Sequence, residues 1–210
     1  MIDRASLARR YARVRARTEA LAAPLSPEDA MVQSMPDASP AKWHLAHTAW
    51  FFEEFVLARH APAHPWHDER WRVLFNSYYE AVGPRHARPA RGVLSRPSLD
   101  AVRGWRAWVD DRVLAMLPGA GEAALEAVLL GTHHEEQHQE LLLTDIQHAL
   151  HASELHPAYT DRPLEPSPPG SADAAPLAWA AFDEAVVDLG HAGSGFAFDN
   201  ETPSHRALVG

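Results

Sequence analysis

The sequence predicts an all-α protein: a bundle of four substantial helices with one long non-periodic connection, followed by a linker and a short segment of strands and loops. Two observations predict this class. Four separate stretches have the apolar pattern or the start signals of long helices, and short strands and turns are expected only near the end of the chain. We therefore expect a helical domain over residues 1–160, a linker over 161–178 and a second, incomplete segment over 179–210.

The first predicted helix covers residues 6–23, which contain no Gly or Pro. Its apolar positions lie at helical spacing: Leu7, Tyr11, Val14, Thr18 and Leu21. Ser26-Pro27-Glu28-Asp29 is typical of a helix start, with a serine cap, a proline at the first helical position and acids in the first turn, and it predicts a short helix.

Ser39-Pro40 repeats this start signal, and the helix predicted from Ala41 to Arg59 is apolar over too wide an arc for a surface helix. We expect it to be packed on most sides. From Ala61 to Pro97 the periodicity disappears, apart from a short aromatic stretch over 71–79. A connection of this length inside a domain is usually functional or contains a structural element that the pattern does not reveal.

Two further helices follow this connection. Ser98-Leu99-Asp100 opens one that runs to Leu117 and is closed by Pro118-Gly119, and residues 121–152 form the longest helical run. Residues 161–176 are rich in Pro, Ser, Gly and Ala and predict a linker. Short strands and turns are then expected over 184–190, 193–198 and 207–210, with too few apolar side chains to fold without support.

Composition excludes several classes of function. The chain has no cysteine, so thiolate metal sites, iron–sulfur clusters and cysteine nucleophiles are absent, and any metal must be held by nitrogen or oxygen. The formal net charge of −9 argues against a nucleic-acid partner. No apolar run approaches the ~20 residues that span a bilayer, and no secretory signal is evident. We expect a cytoplasmic protein that binds neither nucleic acid nor membrane.

Fourteen histidines are many for this length, and they occur in groups. His134 and His138 are four residues apart in a predicted helix, so both rings can face one point and form half of a metal site. The packed helix over 41–59 offers a third ligand in His44 or His47, which share a face. Spacing does not choose between them, and one of the two is expected to be a hydrogen-bonded core residue.

Two alternatives stay open at this point. His134-Glu-Glu-Gln-His138 also satisfies the zinc-protease pattern H-E-x-x-H, which would make Glu135 the general base of a zinc-dependent hydrolase. The glycine and third histidine of the extended pattern do not follow it. The other alternative is a non-catalytic helical module whose histidines bind zinc, or no metal, and whose surface binds a partner.

Four motifs, in this order, resemble the ergothioneine-biosynthesis sulfoxide synthases (EgtB type). They are Ser34–Glu54, with Lys-Trp-His-Leu-Ala-His at its centre; Leu74–His86, with Asn-Ser-Tyr-Tyr-Glu; Arg91-Gly-Val-Leu-Ser-Arg-Pro97; and His134-Glu-Glu-Gln-His138. Members of that family join a DinB-like helical bundle to a domain similar to the formylglycine-generating (sulfatase-modifying) enzymes. Residues 179–191 and 195–206 resemble the opening of that second domain.

The resemblance implies a mononuclear non-haem Fe(II) site with His47, His134 and His138 as ligands, and so selects His47 over His44. It implies an O₂-dependent reaction that joins the sulfur of γ-glutamylcysteine, or of cysteine, to hercynine as a sulfoxide. Three neutral imidazoles leave the iron its charge and open positions, which suits a thiolate and O₂.

The resemblance also implies substrate contacts. Gln137 would lie near the trimethylammonium end of hercynine, or would instead orient a metal ligand. Arg88 and Arg91 resemble the pair that holds the carboxylates of the thiol substrate, as guanidinium groups do well, although Arg85 and Arg96 are equally suited by chemistry alone. Other family contacts belong to the second domain, so we expect this chain to be inactive until that domain is supplied, for instance as a separate chain.

Overall fold

The computed structural model describes residues 2–161 and 177–210, and 55% of the chain is helical. The chain divides into two compact units, Met1–Asp161 and Arg162–Gly210. Most of the predicted linker, residues 162–176, lies outside the described residues. Within the described part, no helix combines the length and the apolar character that a membrane crossing requires.

The prediction of a mostly helical protein is confirmed, and the long helices lie close to their predicted positions. The first unit contains α1 (Arg4–Ala22), α2 (Ala41–Phe52), α3 (Ala58–His60), α4 (Trp71–Leu74), α5 (Leu99–Met116) and α6 (Glu122–Ala152). A π-helical turn over Glu53–Leu57 joins α2 to α3, so the predicted helix over 41–59 is one helical stretch. The short helix expected after Ser26 is a 3₁₀ turn, Asp29–Met31.

Helix α1 buries the stripe that its spacing predicts. Its buried residues include Leu7, Tyr11, Val14, Thr18 and Leu21. The Asp3 side chain accepts a hydrogen bond from the Ser6 backbone N–H at 2.9 Å, which caps the helix. The helix therefore packs by this face, and it contacts α6.

Helix α2 is the centre of the core. Every one of its residues is buried, as the breadth of its apolar arc predicts, and it packs against α5 and α6. Gly131 of α6 allows close approach, because a Cβ at this position would lie 2.4 Å from the Phe52 ring. The glycine therefore lets α6 pack directly against the end of α2.

A buried ion triad links four helices. The Glu135 carboxylate on α6 accepts hydrogen bonds from Arg15 on α1 and Arg106 on α5, each at 2.8 Å. Arg106 also donates to the Leu45 carbonyl and to the Thr48 hydroxyl on α2. Because each charge is paired, the triad can be fully buried, and it fixes the relative positions of the helices.

The long connection over 61–97 is ordered by its contacts with the helices. The Glu53 carboxylate accepts hydrogen bonds from the His67 backbone N–H at 2.7 Å and from Trp105 Nε1 at 2.8 Å. Lys42 donates to the carbonyls of Leu94 and Pro97, each at 2.8 Å. The connection contains α4 and a 3₁₀ segment, Arg88–Val93, that the sequence did not predict. These contacts hold the connection against both ends of α2.

The described residues of the second unit, 177–210, form two short strands. β1 (Ala185–Leu189) pairs antiparallel with β2 (His205–Val209), and Ala185 lies opposite Val209. Both strands were expected from the sequence. The third expected segment, over 193–198, forms no strand, and a 3₁₀ turn over Asp199–Glu201 follows it.

Candidate metal centre

Three histidines from two helices converge at one point of the first unit. His47 lies on α2, and His134 and His138 lie one helical turn apart on α6. Each offers a ring nitrogen, and these atoms lie within 4.8 Å of one another. Ring centroids are 5.1 Å apart for His47 and His134, and 4.7 Å for His47 and His138. The structure thus brings together the three residues predicted as metal ligands.

The His47 ring is fixed by a backbone carbonyl and by two indoles. Nδ1–H donates to the Phe75 carbonyl at 2.6 Å, which leaves Nε2 with a free lone pair. The rings of Trp43 and Trp50 stack on the imidazole. Burial lowers the pKa of His47 well below its ordinary value, so the ring is neutral near pH 7 and suited to metal coordination.

The two histidines of α6 are likewise neutral. Burial lowers the pKa of His134 to about 4 and that of His138 well below its ordinary value. The His134 Nδ1 is buried and has no hydrogen-bond partner among the described residues. A buried ring nitrogen without a partner is costly unless a ligand satisfies it, so the His134 environment fits metal binding.

His44 is placed differently from the other three. Its Nδ1 lies 2.9 Å from Nδ1 of His138, and its Nε2 lies 2.9 Å from the Asp145 carboxylate. His44 is therefore hydrogen-bonded to the neighbouring helix α6 and is not part of the three-histidine cluster. This is the arrangement expected for one of the two histidines of α2.

The cluster lies in the wall of a cavity of about 440 Å³, within the range of small-molecule sites. Arg91 from the long connection also lines this cavity and is only 4% exposed. Its guanidinium donates to the hydroxyls of Ser39 at 2.8 Å and Ser77 at 3.1 Å, and lies 3.4 Å from the centroid of the Trp43 ring. None of the described carboxylates forms an ion pair with it. Burial and the nearby Arg88 lower the pKa of Arg91 to about 10.

A buried cation without a carboxylate partner is suited to bind an anionic ligand. Arg88 lines the same cavity and donates to the Tyr78 hydroxyl at 2.9 Å and to the Asp37 carbonyl. Arg85 and Arg96, which the sequence left equally suited, do not line the cavity. Arg85 donates to the Ser77 carbonyl, and Arg96 donates to the Ser95 carbonyl. Gln137 is an exposed residue that also contributes to the cavity lining.

The structure argues against Glu135 as a general base. Its side chain is fully buried, does not line the cavity, and is held between Arg15 and Arg106. These two guanidiniums lower the pKa of the carboxyl to about 2, although burial alone would raise it. Such a carboxylate can neither reach a metal-bound water nor accept its proton efficiently. The interpretation of His134–His138 as the site of a zinc-dependent hydrolase requires Glu135 as the general base, and it is therefore wrong.

Several cavity residues were not singled out in the sequence. Leu141 and Asp145 lie three and seven residues after His138, hence on the same helical face, and this spacing was the available signal. The others come from the α2 helix, its N-terminal approach and the long connection, where no periodicity relates them to the ligands. They are Ser39, Trp43, Ser77, Tyr78 and Tyr79.

The donor set fits a divalent transition metal. Three uncharged imidazoles suit Fe(II), Zn(II), Co(II) or Ni(II), and a three-ligand site leaves positions open for substrate. The tautomer fixed at His47, the unpartnered Nδ1 of His134 and the neutral state of all three rings agree with such a site.

Comparison with known families identifies the superfamily of the chain. The sequence model of the DinB superfamily (DinB_2) matches residues 10–184, which include all three histidines and the cavity-lining arginines. No curated protein matches the chain significantly. Because the matched region covers most of the sequence, the chain belongs to the DinB superfamily.

Proposed function

We propose that the chain is the iron-binding part of a non-haem Fe(II), O₂-dependent sulfoxide synthase that joins the sulfur of γ-glutamylcysteine or cysteine to hercynine in ergothioneine biosynthesis. The resemblance of four sequence motifs to this family supports the proposal. The single observation that carries it is that three converging imidazoles share one cavity with the buried, unpaired guanidinium of Arg91. A metal site beside an anion site suits a substrate with both a thiol and carboxylates.

In this proposal, different side chains bind the metal, the thiol substrate and hercynine. His47, His134 and His138 hold Fe(II), which supplies the site at which O₂ and the thiolate react. Arg91, and Arg88 nearer the solvent, bind the carboxylates of the thiol substrate through paired N–H donors. Gln137 contacts hercynine beside the metal ligands.

The overall reaction balances without a further reductant. One thiol, one imidazole C–H and one O₂ give one sulfoxide and one water, so the S–H and C–H bonds break and the C–S and S–O bonds form. The two electron pairs from these bonds and from sulfur reduce O₂ completely.

Direct binding tests the proposal for the chain as it exists. The Fe(II)-loaded chain is titrated anaerobically with γ-glutamylcysteine and, as a matched control, with γ-glutamylserine, which lacks the thiol. We expect the cysteine compound to bind more tightly and to alter the spectrum of the iron site. Equal binding of both compounds would contradict coordination of the sulfur.

Turnover is tested by mass spectrometry of the sulfoxide in air, with hercynine present. We expect product when a formylglycine-generating-enzyme-like domain is added as a second chain, and none with the His47→Ala chain. Absence of product in every combination, with iron bound, would contradict the assigned reaction.

A further inference from the structure

His44 is a buried side chain that lies between the metal centre and a carboxylate. It is 3% exposed, and His138 is 9% exposed. The His44 Nδ1 is 2.9 Å from Nδ1 of His138, and its Nε2 is 2.9 Å from Oδ2 of Asp145. The three side chains therefore form a continuous hydrogen-bonded chain that ends at a proposed metal ligand.

The contacts of Asp145 determine which atom donates in each of these two hydrogen bonds. Asp145 Oδ2 also accepts a hydrogen bond from the backbone N–H of Ser39 at 2.9 Å. A backbone N–H can only donate, so this oxygen is an acceptor, and Nε2 of His44 must carry the proton that it donates to the carboxylate. In a neutral imidazole the other nitrogen then has no proton, so Nδ1 of His44 accepts.

Two ring nitrogens 2.9 Å apart share one proton, since two protons or none would place like charges against each other. As Nδ1 of His44 accepts, the proton belongs to Nδ1 of His138. The Nε2 of His138 is then left with its lone pair. His47 reaches the same tautomer by a different route, through the Phe75 carbonyl.

We propose that His44 and Asp145 are positioning residues of the metal centre, which hold His138 in the Nδ1–H tautomer and direct its Nε2 lone pair at the metal. The proposal rests on the metal-binding part of the proposed function. Outer hydrogen-bond partners of this kind fix the orientation of ligand imidazoles and raise their basicity. They explain why a second histidine lies three residues before His47 on the same helix.

The tautomers are measured directly in the metal-free protein by long-range ¹H–¹⁵N correlation spectra near pH 7.5. Signals are assigned with His44→Asn and His138→Asn chains. We expect a proton on Nδ1 of His138 and on Nε2 of His44. A proton on Nε2 of His138, or on both nitrogens of His44, would overturn the proposal. This readout needs no bound metal, so it can overturn the inference while the proposed function still stands.

Metal affinity gives the second readout, with Co(II) as the spectroscopic probe. His44→Phe fills the space but removes the acceptor, and we expect the affinity to fall by about 10- to 100-fold. His44→Asn places an amide oxygen near the original Nδ1, and we expect it to restore most of the affinity. Unchanged affinity in His44→Phe, or equal losses in both variants, would overturn the positioning role. A chain that binds no metal would overturn both this inference and the proposed function, whereas a chain that binds Co(II) but not γ-glutamylcysteine would overturn the proposed function alone.

Discussion

The indole ring of Trp43 stacks on the imidazole of His47, with ring centroids 4.6 Å apart and planes 11° from parallel. The same indole contacts the guanidinium of Arg91. One side chain thus touches both a proposed metal ligand and the proposed anion site. It joins the core helix α2 to the long connection at the point where the two sites meet.

We expect Trp43→Leu to weaken metal binding and thiol-substrate binding together, each by about 2- to 10-fold, because stacking contacts of this kind contribute about 0.5–1.5 kcal/mol. Titrations of Co(II) and of γ-glutamylcysteine measure the two effects. Trp108→Leu is the matched control, since Trp108 does not line the cavity. Loss of one affinity with no change in the other would show that Trp43 does not couple the sites.

Arg91→Gln tests the anion site. Removal of the guanidinium is expected to lower the affinity for γ-glutamylcysteine by about 10- to 100-fold, because a charge-assisted hydrogen bond usually contributes about 1.5–3 kcal/mol. Iron content should not change, because Arg91 offers no metal ligand. Arg85→Gln serves as the control, as Arg85 lies outside the cavity and donates to the Ser77 carbonyl. Equal losses in both variants would contradict a specific role for Arg91.

Glu135→Gln is expected to lower the free energy of unfolding by about 3–5 kcal/mol, because it leaves the buried cations Arg15 and Arg106 without their shared carboxylate. Chemical denaturation measures the loss. Glu136→Gln is the neighbouring control, and its 39% exposed side chain forms only a surface ion pair, so a change below about 1 kcal/mol is expected.

The difference in the free energy of unfolding between the unaltered chain and Glu135→Gln is expected to depend on pH. The two guanidiniums hold the folded-state pKa of Glu135 at about 2, below its ordinary value of 4.5. The folded state therefore binds fewer protons, and the contribution of the carboxylate is complete above pH 4.5 and is lost as the pH falls toward 2. The gap in stability between the unaltered chain and Glu135→Gln should narrow over that interval. A constant gap would show that Glu135 does not titrate in this way.

Much of the helical framework could be predicted because it depends on local patterns. The buried positions of α1 recur at helical spacing, and Ser98 caps α5 by accepting a hydrogen bond from the Ala101 backbone N–H at 3.1 Å. The pairing of His134 and His138 could also be predicted, since residues four positions apart on a helix lie on the same face. These features need only the residues next to them in sequence.

The rest depends on contacts between distant segments. The choice of Arg91 over Arg96 is set by the path of the long connection, which is held by Lys42 and other contacts far away in sequence. The orientation of the Glu135 side chain is set by its ion pairs with arginines on two other helices. A motif such as H-E-x-x-H cannot show whether its glutamate faces a metal or a buried guanidinium, and here the latter arrangement holds.

The iron stoichiometry of the chain and its histidine variants tests the central claim most directly. Protein prepared without oxygen is loaded with Fe(II), freed of excess metal, and analysed for iron per chain. We expect one iron per chain for the unaltered protein and for His133→Ala, and almost none for His47→Ala, His134→Ala or His138→Ala. Undiminished iron in the latter three variants would contradict a metal centre formed by these imidazoles.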